Sequence, residues 1–266
     1  MIKKSLLAGL VALLVMIFSS SMVHASASNL AHTISEISYL IVGTGGLLIL
    51  LLIIWASLHP NPSEFFKTTV FISIVVAALA VTFYLAGATI YVNQNSETGG
   101  PVHWHADFRI FSCGVEKQMI EPSGLGNRIG RTDLHEHGDK RIHVEGVVVQ
   151  KQDVSLSEFF RVIGGSLENG RISFPGREKH ESFADGDKCA DGQEGKLQVF
   201  LYKTEGKQIT QTKLTDYFSY VLSDESKVPP GDCIIFEFGS EEKEQTDLIC
   251  DFTSIAIQKG DYNYIK

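Results

Sequence analysis

Five of the nine histidines in this chain fall within 41 residues, in HWHADFRI (His103 to Ile110) and DLHEHGDKRIHVEG (Asp133 to Gly146). Neutral imidazole nitrogens are common ligands of Zn²⁺ and Cu²⁺, and two HxH pairs beside a fifth histidine offer up to five of them. On an extended strand His103 and His105 share a face, with Cα atoms about 6.6 Å apart. His135 and His137 repeat that spacing in a turn-like stretch, and His143 starts the next apolar run with Glu145 two residues on. The other four histidines are spread over the rest of the chain, a density at which this window would hold fewer than one. A solvated polar face is the alternative to a metal site.

The candidate ligands are therefore His103, His105, His135, His137 and His143. Asp107, Glu136 and Glu145 are candidates to orient an imidazole through its other nitrogen. An all-nitrogen set suits copper or zinc, and three histidines with an open position would activate water at zinc. Met119 is the one soft sulfur ligand nearby. Cys113 lies eight strand residues from His105, about 26 Å away, and is not a partner ligand.

The pattern HxHxDFxI, then LHxHxxxxIHVEG, then LxxFF resembles a group of exported, membrane-anchored bacterial and archaeal proteins whose versions read HxHAHLxI and LHTHDxxxIHVE. The likeness covers His103 to Ile163. It implies an exported His-rich domain and supplies no activity. Glu136 stands where that pattern has Thr, and Asp107 where it has the histidine of HAH, so one candidate ligand is lost.

The elements that must position these residues are readable. VHWHADFRIF alternates apolar Val102, Trp104, Ala106, Phe108 and Ile110 with polar residues, the period of a strand with one buried face. RIHVEGVVV repeats this with Ile142 and Val144 on one face and His143 and Glu145 on the other. DVSLSEFFRVIGG carries Ser155 and Glu158 in capping-box spacing and Gly164 as a stop, a short amphipathic helix. Further on, KLQVFLYKTEGKQIT predicts a hairpin turning at Glu205 and Gly206, LTDYFSYVL a helix, and PPGDCIIFEFG a strand entered through a turn. ESFADGDKCADGQEGK reads as loop. The order hairpin, helix, strand is β-grasp-like.

Two charge-free runs, Ser38 to Ser57 and Thr68 to Val92, are each long enough to cross a hydrocarbon core of about 30 Å. Ahead of them, two lysines, an apolar run and an Ala25-x-Ala27 site mark residues 1–27 as a secretory signal peptide or signal anchor. Cleaved or retained, the signal leaves the C-terminal part outside the cell membrane. The expected organisation is α+β: membrane helices at about 38–57 and 68–92, a polar linker at 93–101, and a β-rich extracytoplasmic domain at 102–266 with short helices. That domain divides into 102–180 and 195–266.

Charge is as unevenly placed as hydropathy. Residues 101–266 carry 20 Lys and Arg against 28 Asp and Glu, which disfavours nucleic-acid binding. All four cysteines lie in the same part, and an even count fits disulfides in an oxidising space. Cys233 with Cys250 is the favoured pair, on the reading of CIIFEFG and TDLICDF as antiparallel strands; Cys113 with Cys189 follows by default. Three functions are open: a membrane-anchored protein binding copper or zinc, a metal-independent module binding an envelope or membrane protein, and a metal-dependent enzyme with Glu145 or Glu136 as general base. The lipid bilayer is a partner in all three.

Overall fold

The computed structural model describes residues 30–265 apart from 125, 223–225 and 227–229; the signal segment, residues 1–27, lies outside the described residues. It is α+β, with two long apolar helices ahead of a β-rich domain. Helices α1 (Leu30–Ser57) and α2 (Glu64–Gln94) both begin earlier than the charge-free runs. Each is long and apolar enough to cross a membrane. Ser63 caps α2 by accepting a hydrogen bond from the Phe66 amide. The two helices pack antiparallel, and a Cβ on Gly45 would lie 2.6 Å from Val81 Cγ2, so the close approach needs glycine there.

The segment after α2, expected to be a flexible linker, is hydrogen-bonded to the domain. The Glu97 amide donates to Val149 O at 3.1 Å, and the Glu97 carboxylate accepts from the Lys151 amide at 2.9 Å. The Thr98 hydroxyl lies 3.3 Å from Val148 O.

The strands are β1 (Pro101–Ser112), β2 (Val115–Lys117), β3 (Ile129–Gly130), β4 (Leu134–Glu136), β5 (Arg141–Val147), β6 (Ser166–Glu168), β7 (Arg171–Pro175), β8 (His180–Ala184), β9 (Lys196–Glu205), β10 (Gln208–Leu214), β11 (Asp232–Gly239) and β12 (Asn263–Ile265). Helix α3 (Leu156–Val162) follows β5, and α4 (Asp251–Gln258) follows β11. One nine-stranded sheet runs β12-β10-β9-β11-β1-β5-β4-β3, with β2 paired to β1. Strands β1 and β11 pair in parallel, so residues from both 102–180 and 195–266 enter the same sheet. Strands β6, β7 and β8 form a second, small sheet.

The main core lies on the face expected from the alternation in β1. Trp104, Ala106, Phe108 and Ile110 are buried with Ile142, Val144, Ile234 and Phe236. Helix α3 seals them, with Phe159 5.5 Å from Phe108 and Phe160 5.1 Å from Phe236 between ring centres. Burying such a side chain contributes roughly 1.5–3 kcal/mol, which makes this face the anchor of the sheet. Ser155 accepts from the Glu158 amide and starts α3, as its capping-box spacing predicts.

Three expectations are corrected. TDLICDF is no strand: the chain leaves β11, and Cys250 sits immediately before α4. The pair Cys233 and Cys250 forms nonetheless, as does Cys113 with Cys189. LTDYFSYVL is no helix, because its backbone bonds outward. The carbonyls of Phe218 and Tyr220 accept from the Ser157 and Leu156 amides in the first turn of α3. Part of ESFADGDKCADGQEGK, expected as loop, is strand β8.

Candidate metal centre

The period-two rule that buries Trp104 and Phe108 sends His103, His105 and Asp107 to the opposite face of the sheet. Register then assembles the site. His105 pairs with His143 across β1 and β5, and His143 pairs with His135 across β5 and β4, so three histidines occupy one rung of three adjacent strands. His103 stands on the next rung opposite Glu145, and Asp107 on the rung below opposite Arg141. His137 lies just beyond β4 and folds back over the rung. Strand β3 supports β4 from outside, and a Cβ on Gly130 would lie 2.6 Å from the Leu134 carbonyl.

All five histidines converge. Ring centres are 4.5 Å apart for His103 and His105, 4.8 Å for His105 and His143, 4.8 Å for His137 and His143, and 4.7 Å for His135 and His137. The rings of His135 and His143 stack at 5.4 Å. Two sets have ligand atoms mutually within 4.8 Å: His103 with His105 and His143, and His135 with His137 and His143. Tetrahedral ligands bound at roughly 2.0–2.1 Å are about 3.3 Å apart, so small side-chain shifts would bring either set onto one ion.

The hydrogen bonds fix which nitrogens carry lone pairs. His137 Nδ1 is 2.5 Å from the Asn127 carbonyl, which only accepts, so Nδ1 is protonated and Nε2 presents its lone pair. That Nε2 lies 3.0 Å from His135 Nε2. His143 Nε2 donates to Asp139 Oδ2 at 3.1 Å, which leaves Nδ1 as the free nitrogen. The Nδ1 atoms of His105, His135 and His143 are all buried without a hydrogen-bond partner. Leaving one such atom unpaired costs about 1–3 kcal/mol, so three on one rung favour a bound group that takes up their lone pairs.

Electrostatics favours the neutral form of two of these rings. Burial, followed by the nearby His143, His103 and Arg141, lowers the pKa of His105 to about 4. Burial likewise lowers His135. Metal ligation requires unprotonated imidazole, so both lie on the favourable side at neutral pH. Burial works against ionisation of Asp139, but the hydrogen bond from His143 and the charge of Arg141 outweigh it and hold its pKa below the ordinary carboxylate range.

The three candidate orienting carboxylates divide. Glu145 Oε1 is 3.0 Å from His103 Nε2 and 4.0 Å from His143 Nδ1. Asp107 binds no histidine; its Oδ1 accepts from Arg141 Nε at 2.6 Å in a buried pair. Burial raises the Asp107 pKa to about 6 against the pull of that arginine. Glu136 is on the wrong face, since the alternation that groups His135 with His137 turns it into the core side. There it is buried and accepts from the Lys140 amide at 3.0 Å. Sequence reasoning missed Asp139, the partner that orients His143. Its signal is a carboxylate four residues before His143, with a glycine turn to bring it back.

No family model matches the chain, and no curated protein or solved structure matches it. The site therefore rests on its own geometry.

Proposed function

We propose that this chain is a membrane-anchored protein whose extracytoplasmic domain binds a copper or zinc ion through His103, His105, His135, His137 and His143. The observation that carries this reading is the buried, partnerless Nδ1 atoms of His105, His135 and His143 on one rung of the sheet. Neutral imidazoles and an all-nitrogen donor set favour Cu²⁺ or Zn²⁺ over Mg²⁺ or Ca²⁺, which take oxygen. Asp139 on His143 supplies the carboxylate–histidine pairing usual behind a metal ligand. Rings 4.5–5.4 Å apart favour this reading over a metal-independent interaction module, which needs no convergence of imidazoles.

The placement outside the membrane draws on three supports. The helical hairpin brings the start of α1 and the end of α2 to one side, the secretory-type N-terminus exports that side whether cleaved or retained, and two disulfides suit an oxidising compartment. The resemblance to exported His-rich proteins agrees. Of the carboxylates considered as a general base, Glu145 alone stands beside the histidines, so an enzymatic reading would rest on it.

Elemental analysis of the full chain in detergent, after reconstitution with each metal and desalting, tests the proposal. About one ion per chain is expected, lost in His105→Ala with His143→Ala. Chains that retain neither copper nor zinc would overturn it.

A further inference from the structure

Building on the metal-binding reading, we infer that a single ion uses two seats in succession: it is captured on His103, His105 and His143 and passed to His135, His137 and His143. His143 belongs to both three-histidine sets. Because its Nε2 donates to Asp139, only Nδ1 has a lone pair, and one lone pair serves one ion at a time. Two ions held together on His143 would require both of its nitrogens unprotonated. The two sets are therefore alternative seats joined by a shared ligand.

The seats differ in access and in rigidity. The His103 side chain is 63% exposed and borders a 520 Å³ cleft lined by Glu97, Thr98, Trp104 and Lys151. Among the described residues its ion-pair partner is the half-buried Glu145, and its exposed ring can swing toward an incoming ion. His135 is 1% exposed, and His137 is pinned through Nδ1 to the Asn127 backbone. An exposed ligand favours capture, whereas a set held by the buried His135 and the backbone-bonded His137 favours retention, because less side-chain freedom is lost on binding. Three-histidine seats leave a coordination position open, so the next imidazole binds before the last one leaves. Exchange then proceeds one ligand at a time without release to water.

The test uses the full chain in detergent with Cu²⁺, followed by stopped-flow capture, competition titration and electron paramagnetic resonance. His103→Ala is expected to slow capture at least about tenfold while keeping one ion and changing affinity less than about threefold. His137→Ala is expected to keep one ion on the outer seat, at least about tenfold weaker and with a different spectrum. His137→Gln gives a second variant of that seat should the alanine form fail to fold. His143→Ala should lose both seats. Two ions bound at once to the wild type, equal affinity losses in His103→Ala and His137→Ala, or unchanged capture in His103→Ala would each overturn the relay while leaving metal binding intact. A wild-type chain that binds no Cu²⁺ and no Zn²⁺ would overturn the underlying reading instead.

Discussion

One face of the nine-stranded sheet is built in two halves that share strands and register yet end differently. Over β9, β10 and β11 it carries Phe200, Tyr202, Ile209, Cys233 and Ile235, buried beneath the segment that includes Cys250 and Ile257. Over β1, β5 and β4 the same face carries His103, His105, His143 and His135, with Asp107 and Arg141 between the halves. The chain covers the first half with its own apolar residues and a disulfide. It leaves the second half polar and unsatisfied, which is what a ligand site requires. Two contacts mark the seam: Phe252 lies 4.5 Å from the Arg141 guanidinium, and Arg109 donates both to Ile249 O and to Glu116.

The contrast predicts different responses to disruption. The largest effect should come from the covered half. Phe200→Ala is expected to cost about 3–5 kcal/mol in urea unfolding, while the folded fraction keeps its metal stoichiometry. Next, zinc or copper at about 100 times its Kd should raise stability by about 2.7 kcal/mol in thermal melts. His143→Leu should abolish that gain, yet its metal-free form should match or exceed the metal-free wild type, since it removes an unpaired buried nitrogen. A metal-free His143→Leu protein that is much less stable would make the rung a structural core like its neighbour.

Smaller effects sharpen the boundary. Asp139→Ala should weaken metal binding about 10–100-fold in competition titrations with little change in unfolding. The smallest effect belongs to Glu116, which accepts from Arg109 on the covered side and from Lys140 on the histidine side. The Arg109 hydrogen bonds, helped by Lys140 and opposed by burial, lower its pKa to about 2. Its contribution is therefore present above the unfolded value of about 4.5 and is lost as pH falls toward 2. Glu116→Gln should flatten the difference in stability across that acid window, by less than about 1 kcal/mol for a partly exposed pair.

How much of this was legible in the sequence depended on whether a rule was local. Period-two alternation placed His103 and His105 together against Trp104 and Phe108, and the capping box placed α3, because each rule acts within a few residues. The same alternation, applied to His135 and His137, excludes Glu136. The rung itself was only half legible: the pairing of β1 with β5 could be posed as a condition, but the turn at Gly138 and Asp139 fixes only which residue of β4 faces His143, and no local signal fixes which residue of β1 does. LTDYFSYVL failed for a long-range reason, since its carbonyls are used by the amides of α3. TDLICDF failed similarly, because Cys250 needs only to reach Cys233, and a helix start does that as well as a strand.

The order of strands along the chain has a consequence for how the domain comes into being. The histidine half is assembled from β1, β4 and β5, close together in sequence, whereas β11, which pairs with β1 in parallel, follows the β9–β10 hairpin far along the chain. Pairings close in sequence form before distant ones, and a chain delivered N-terminus first presents them first. The imidazoles can thus meet an ion while the rest of the sheet is still incomplete, and the ion would then act as an early clamp on β1, the strand that β11 must find.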